Sequence, residues 1–182
     1  MSVAIDEQKR KEIEAALLAA LLLIYRGSHR AALAALGVAA DPTVSPDAEK
    51  RIAAFAQDRA EKIADGINGR MDAAGQPDAD ATPGEQSENI SDYNAAVLAP
   101  FLRSWAWHQG MIDAYRQTPA QASPDDSALD ETSWVWTQTT DYNDECTAAD
   151  AASPASYDDL IAITGAPPPV HERCQCLLAP VE

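Results

Sequence analysis

Sulfur is scarce in this chain, large rings are few, and positive charge nearly vanishes in its last third. Three cysteines in 182 residues are an odd number, which excludes a closed disulfide framework within one chain. A reducing compartment, the cytosol by default, suits them better. Aromatic residues are only 6% of the chain, and alanine supplies much of the 46% that is hydrophobic. That composition argues against a large, dense core and for long, thin helices. From Gln121 onward one basic residue, Arg173, faces twelve acidic ones, a local charge of −11 within an overall −16. Cations supply most of the affinity for a phosphate backbone, so strong nucleic-acid binding is not expected. An acidic surface of this kind keeps a protein soluble and self-repelling, or keeps packed nucleic acid at a distance.

Long hydrophobic runs are missing too. The stretch "AALLAALLLIY" at residues 15–25 is about half of the roughly 20 residues a membrane span needs. Asp6, Glu7, Glu12 and Glu14 stand where a signal peptide carries basic residues. Neither a membrane nor a targeting segment is expected.

What the chain does have is helix signal. Over residues 7–36 the apolar positions Ile13, Leu17, Leu21 and Ile24 recur at helical spacing. Gly27-Ser28 predicts a break or kink there, with Ser28 capping a short second helix that ends at Gly37. A further helix opens with Ser45 as N-cap and Pro46 in its first turn. Ile52, Phe55, Ala56, Ile63 and Ile67 form its stripe, and Gly66 marks its stop. The wide apolar face of the first helix is either core or a surface for a partner's helix.

Residues 71–89, rich in Gly, Pro, Asp and Ala, read as a linker or mobile loop. A long helix is expected over 91–117, kinked near Val97 by Pro100. Its Trp105 and Trp107 would glue it to the C-terminal module, and His108 would be partly buried or on the surface. "SWVWTQTT" alternates around Trp134 and Trp136 as a strand. "CTAADAAS" and "YDDLIAITG" are short helices, and "CLLAPV" is a second strand candidate. The fold class expected is mainly α, an elongated helical body with a small C-terminal α+β module. Its regions are 1–70 (helical), 71–90 (linker), 91–120 (long helix) and 132–182 (module).

One stretch of the module, "PPPVHERCQC" at residues 167–176, packs a histidine and two of the three cysteines within six residues. With Cys146, the residues His171, Cys174 and Cys176 make four soft or borderline ligands, the number a structural zinc ion takes in tetrahedral geometry. A small module with few large apolar residues gains from such a staple. The spacing His-x2-Cys-x-Cys is less telling than Cys-x2-Cys. Two other readings stay open. Cys146 and His171 can be a nucleophile and its base, though nothing supplies an orienting residue or an oxyanion donor. Otherwise the thiols are small buried hydrophobes, free or with Cys146 paired to Cys174 or Cys176.

In order, Trp-x-Thr, an acidic turn, a cysteine, a short helix and then "PPPVHERCQCLLAPV" resembles the C-terminal module of phage head morphogenesis proteins, the Mu F-like minor head proteins. Their pattern closes with a proline pair, His-Pro-x-Cys-x-Cys and a short apolar strand. The matching positions are Trp136, Cys146, Pro168, Pro169, His171, Cys174 and Cys176, within residues 132–182. This chain departs from the pattern at Ala149, where members usually carry a second cysteine, and at Glu172, where they carry proline. Asp150 is the one nearby substitute ligand.

The resemblance implies a non-enzymatic minor capsid protein of a tailed phage or prophage. It would be made in the host cytoplasm and carried in the virion interior at the portal vertex, with the portal protein and major capsid or connector proteins as partners. No appended toxin or transferase domain is expected after Glu182. The alternatives are an acidic cytosolic binding module that mimics nucleic acid, and a Cys/His hydrolase.

Overall fold

A computed structural model describes residues 5–39, 43–74, 98–139, 143–171, 174 and 176–181. They are mostly helical, with one small three-stranded antiparallel sheet in the C-terminal part, as the sequence pattern predicts. Two compact units share the chain. The first is drawn from Met1–Leu23 and Val44–Tyr93, the second from Ile24–Thr43 and Asn94–Glu182. Residues 24–43 therefore belong with the C-terminal module, although their sequence reads as part of the N-terminal helical region.

Helix α1 runs unbroken over Glu7–Ala35, so the expected break at Gly27-Ser28 does not occur. The Ser28 hydroxyl donates to the Tyr25 carbonyl at 3.0 Å instead of capping a new helix, and an interior glycine costs only about 1 kcal/mol. The stop comes where a left-handed residue is available. Gly37 has φ +70°, its N–H reaches the Ala34 carbonyl, and Val38 N–H reaches that of Leu33. Those two bonds make a Schellman motif. By length and composition α1 could cross a membrane, with an 18-residue window of mean hydropathy 1.2, although a third of that window is buried in the protein.

In the first unit, Ser45 caps α2 (Pro46–Ala74) through its hydroxyl, which accepts from Ala48 N–H at 3.2 Å. This helix passes through Gly66 rather than ending there, and takes in the start of the expected linker; 75–90 lie outside the described residues. Gly66 has open space around it and no proline follows to stop the turn. The buried stripe is Ala48, Ile52, Ala56, Ala60 and Ala64, a row at every fourth position. Phe55, Ile63 and Ile67 flank it, half-buried. The start of α1 runs antiparallel to the far part of α2. Ile5 and the Asn68 side chain exchange two hydrogen bonds of 2.7 and 3.1 Å, and Arg10 lies 4.0 Å from Glu61.

In the second unit α3 spans Ala99–Gln117 and carries Pro100 in its first turn. There the missing N–H costs nothing; the kink expected near Val97 lies outside the described residues. Gly110 lets the later part of α1 approach closely. A Cβ there would stand 2.0 Å from Ser28 Oγ and 2.4 Å from the Tyr25 carbonyl oxygen. Beside this crossing the Tyr25 hydroxyl donates to buried Asp113 at 2.7 Å, and His29 meets Gln117 at 3.2 Å.

A single turn, α4 (Ala128–Glu131), closed by a Ser127–Asp130 capping box, leads into β1 (Ser133–Thr137). Next come α5 (Asp144–Ala152), β2 (Ala155–Ser156), α6 (Tyr157–Thr164) and β3 (Leu177–Pro180). The strand order is β2-β1-β3, with Trp134 opposite Pro180 and Trp136 opposite Leu178. Alternation along β1 sends both tryptophans inward, each fully buried. Each contributes on the order of 5 kcal/mol of gross burial energy. Tyr115 of α3 and Tyr157 of α6 meet the Trp134 ring edge-on, with centroids 4.9 and 6.1 Å away.

Candidate metal centre

Each thiol reaches the module's core by a local rule. Asn143 caps α5, its side chain accepting from Glu145 N–H at 2.9 Å and Cys146 N–H at 3.2 Å. Cys146 is thus the third residue of the helix, and Ala149, one turn on, is buried with it. The Ser153 hydroxyl holds this helix against the sheet, donating to the Ala149 carbonyl at 2.9 Å and accepting from Trp136 N–H at 2.8 Å. Cys174 and Cys176 come just before β3. Cys174, Cys176 and Leu178 are all buried while Leu177 and Ala179 are exposed, so the alternation of β3 extends back to Cys176, and Cys174 is buried as well. Both thiols of the Cys-x-Cys pair thus reach the same core.

The three sulfur atoms lie within 4.8 Å of one another, in the core and free of disulfides. Zinc–sulfur bonds of about 2.3 Å in tetrahedral geometry place sulfurs about 3.8 Å apart. The trio therefore fits around one ion with little movement, whereas a disulfide needs about 2.05 Å between one pair and leaves the third thiol alone. Burial pushes the Cys146 thiol well above its ordinary range, and the nearby Cys176 and Cys174 push it further. Burial likewise raises Cys176. A thiol held protonated is a poor nucleophile at neutral pH, but a divalent cation reverses the preference by binding the thiolate.

His171, the fourth expected ligand, is not in the three-sulfur group. It is half-buried, and its Nε2 is shielded from solvent without a hydrogen-bond partner. Its carbonyl accepts from Cys174 N–H at 2.9 Å. Asp150 is exposed and takes no part. Pro168 and Pro169, joined by a cis peptide bond, are both buried.

Sequence reasoning missed the other histidine of consequence. His108 is 1% exposed, where a partly buried or surface residue was expected. Its Nδ1–H donates to the Ser104 carbonyl at 2.8 Å, and Nε2 accepts from Leu178 N–H at 3.1 Å. So the imidazole ties α3 to β3, while Trp107 is 45% exposed. Burial lowers the His108 pKa to about 4, a backbone bond from Ser104 working in the other direction. The ring stays neutral. Polar periodicity gives no sign of this, since the partner is a backbone N–H 70 residues away.

Against known proteins, the chain matches no family model, no curated protein and no solved structure. Three buried cysteines that could bind a metal are what its geometry displays.

Proposed function

We propose that this chain is a non-enzymatic minor capsid protein of a tailed phage or prophage head, seated at the portal vertex and inside the virion. One structural zinc ion would close its C-terminal module. Cys146, Cys174 and Cys176 would hold the ion and His171 would complete the four ligands; zinc supplies a crosslink there, not a reaction. The observation that carries the reading is the three-sulfur group within 4.8 Å, which joins the helix after β1 to the approach to β3. Further support comes from residues of the head-protein pattern: Trp136, Cys146, Pro168, Pro169, Cys174 and Cys176 are all buried in this module. The acidic stretch from Gln121 onward suits a protein that shares a compartment with packed DNA and does not adhere to it.

The test is quantitative mass spectrometry of purified, DNA-filled particles, with zinc measured on the isolated protein prepared without chelator. A low, fixed ratio to portal subunits and about one zinc per chain are expected. Absence from particles would overturn the capsid assignment and bring forward the cytosolic binding module. Zinc near zero would overturn the clasp.

A further inference from the structure

Two side-chain nitrogens of the C-terminal module are shut away from solvent and meet no partner, Trp136 Nε1 and His171 Nε2. An indole N–H can only donate, and leaving such a donor unmet in a core costs about 1–3 kcal/mol. The neighbouring tryptophan of β1 shows the usual solution, Trp134 Nε1–H donating to the Leu129 carbonyl at 3.4 Å. Trp136 has no such carbonyl. Its strand register points to a different acceptor. Trp136 stands opposite Leu178, Cys176 is two residues before Leu178, and all three are buried on one face. The diagonal neighbour of the ring is therefore the Cys176 side chain. Sulfur is large and a weak acceptor when protonated, but a far better one as a thiolate.

Charge gives this contact a purpose. Three thiolates around a divalent cation with a neutral imidazole leave one net negative charge in an apolar core, which needs donors aimed at it. Cys146 has the positive end of α5 beside it. Cys176 precedes a strand and has no helix end.

We infer that the Trp136 indole N–H is the donor to the Cys176 sulfur, a positioning contact that aims this ligand into the three-sulfur group and offsets its charge. The charge argument rests on the proposed metal site, whereas the contact concerns the sulfur with or without an ion.

Nuclear magnetic resonance separates the two. The Trp136 indole resonance is assigned by its loss in Trp136→Phe. In reduced, metal-free protein it is expected to move upfield and exchange faster with solvent in Cys176→Ala, or in the bulkier Cys176→Val should the alanine variant fail to fold. The Trp134 indole, bonded to Leu129, should stay in place. In wild-type protein loaded with cadmium-113, the Trp136 indole proton is expected to show scalar coupling to the metal through the sulfur. An indole proton that ignores the loss of Cys176 and shows no coupling in cadmium-loaded protein overturns the inference while leaving the metal site standing. A protein that takes up no cadmium, yet whose Trp136 proton moves with Cys176, keeps the contact and removes the metal.

Discussion

Acid should unlatch β3 from α3, and the cost can be worked from one residue. His108 is buried in its neutral form with both ring nitrogens engaged, the first by Ser104 and the second by Leu178. An unfolded chain takes up the imidazole proton near 6.5, whereas the folded one resists until about 4. The contribution is therefore complete above about pH 6.5 and is lost as pH falls toward 4. Linkage gives about 2 kcal/mol lost at pH 5 and about 3 kcal/mol once the whole shift is expressed, a large share of a typical domain's stability. Other groups titrate in the same range, since the chain carries 29 acidic residues, so a difference between variants is the quantity to measure. His108→Gln keeps a side chain that can donate and accept but does not titrate. Urea unfolding of both proteins, followed by tryptophan fluorescence in chelator and reductant, should give curves that agree near neutral pH apart from a constant offset. Below about pH 6.5 the wild type should lose stability faster, by about 2 kcal/mol at about pH 5. Parallel profiles would refute the reasoning and mean that the ring is either hydrated or already charged in the folded protein.

Glycines in α1 and α3 make opposite predictions. Gly110→Ala drives a methyl group into Ser28 and the Tyr25 backbone, so a loss of about 2–3 kcal/mol is expected, read as a lower unfolding midpoint. Gly27→Ala, with open space around it, should instead gain about 0.5–1 kcal/mol; a loss there would show that α1 is not continuous. Zinc uptake should weaken steeply in acid. The Cys146 and Cys176 thiols, both raised by burial, must each release a proton to bind. Apparent affinity then falls about a hundredfold or more per pH unit. Competition with a chromophoric chelator across neutral pH reads the slope, and a flat profile would place any bound ion away from these cysteines.

Legibility in the sequence follows the range of the interaction. Several elements could be read in advance because their causes are local: alternation around Trp134 and Trp136, Ser45 before Pro46, and Gly165 after "YDDLIAIT", where it ends α6 with φ +74°. The closeness of the three thiols was legible, although the position of His171 was not, because the imidazole's placement depends on the loop's tertiary path. Reading Gly27 and Gly66 as punctuation failed. Glycine weakens a helix without ending it when the flanking residues favour continuation. Small residues hid the rest. The buried row of alanines in α2 carries no strong apolar signal, and the close approach at Gly110 depends on residues more than 80 positions earlier. The Tyr25–Asp113 pair, likewise 88 residues apart, looks in sequence like two unrelated polar sites.

The strand order β2-β1-β3 sets a timetable for the growing polypeptide. The central strand leaves the ribosome first, and its two tryptophans then wait for partners made later on either side. Domains generally fold as units during synthesis, and this one cannot complete until Leu177–Pro180 has cleared the exit tunnel. The same final stretch delivers Cys174 and Cys176, together with the N–H that His108 is waiting to accept. Until then Trp134 and Trp136 are apolar surface on a nascent chain, the kind that chaperones cover. A stalled or truncated product lacking those residues is a substrate for proteolysis rather than a shortened version of the fold.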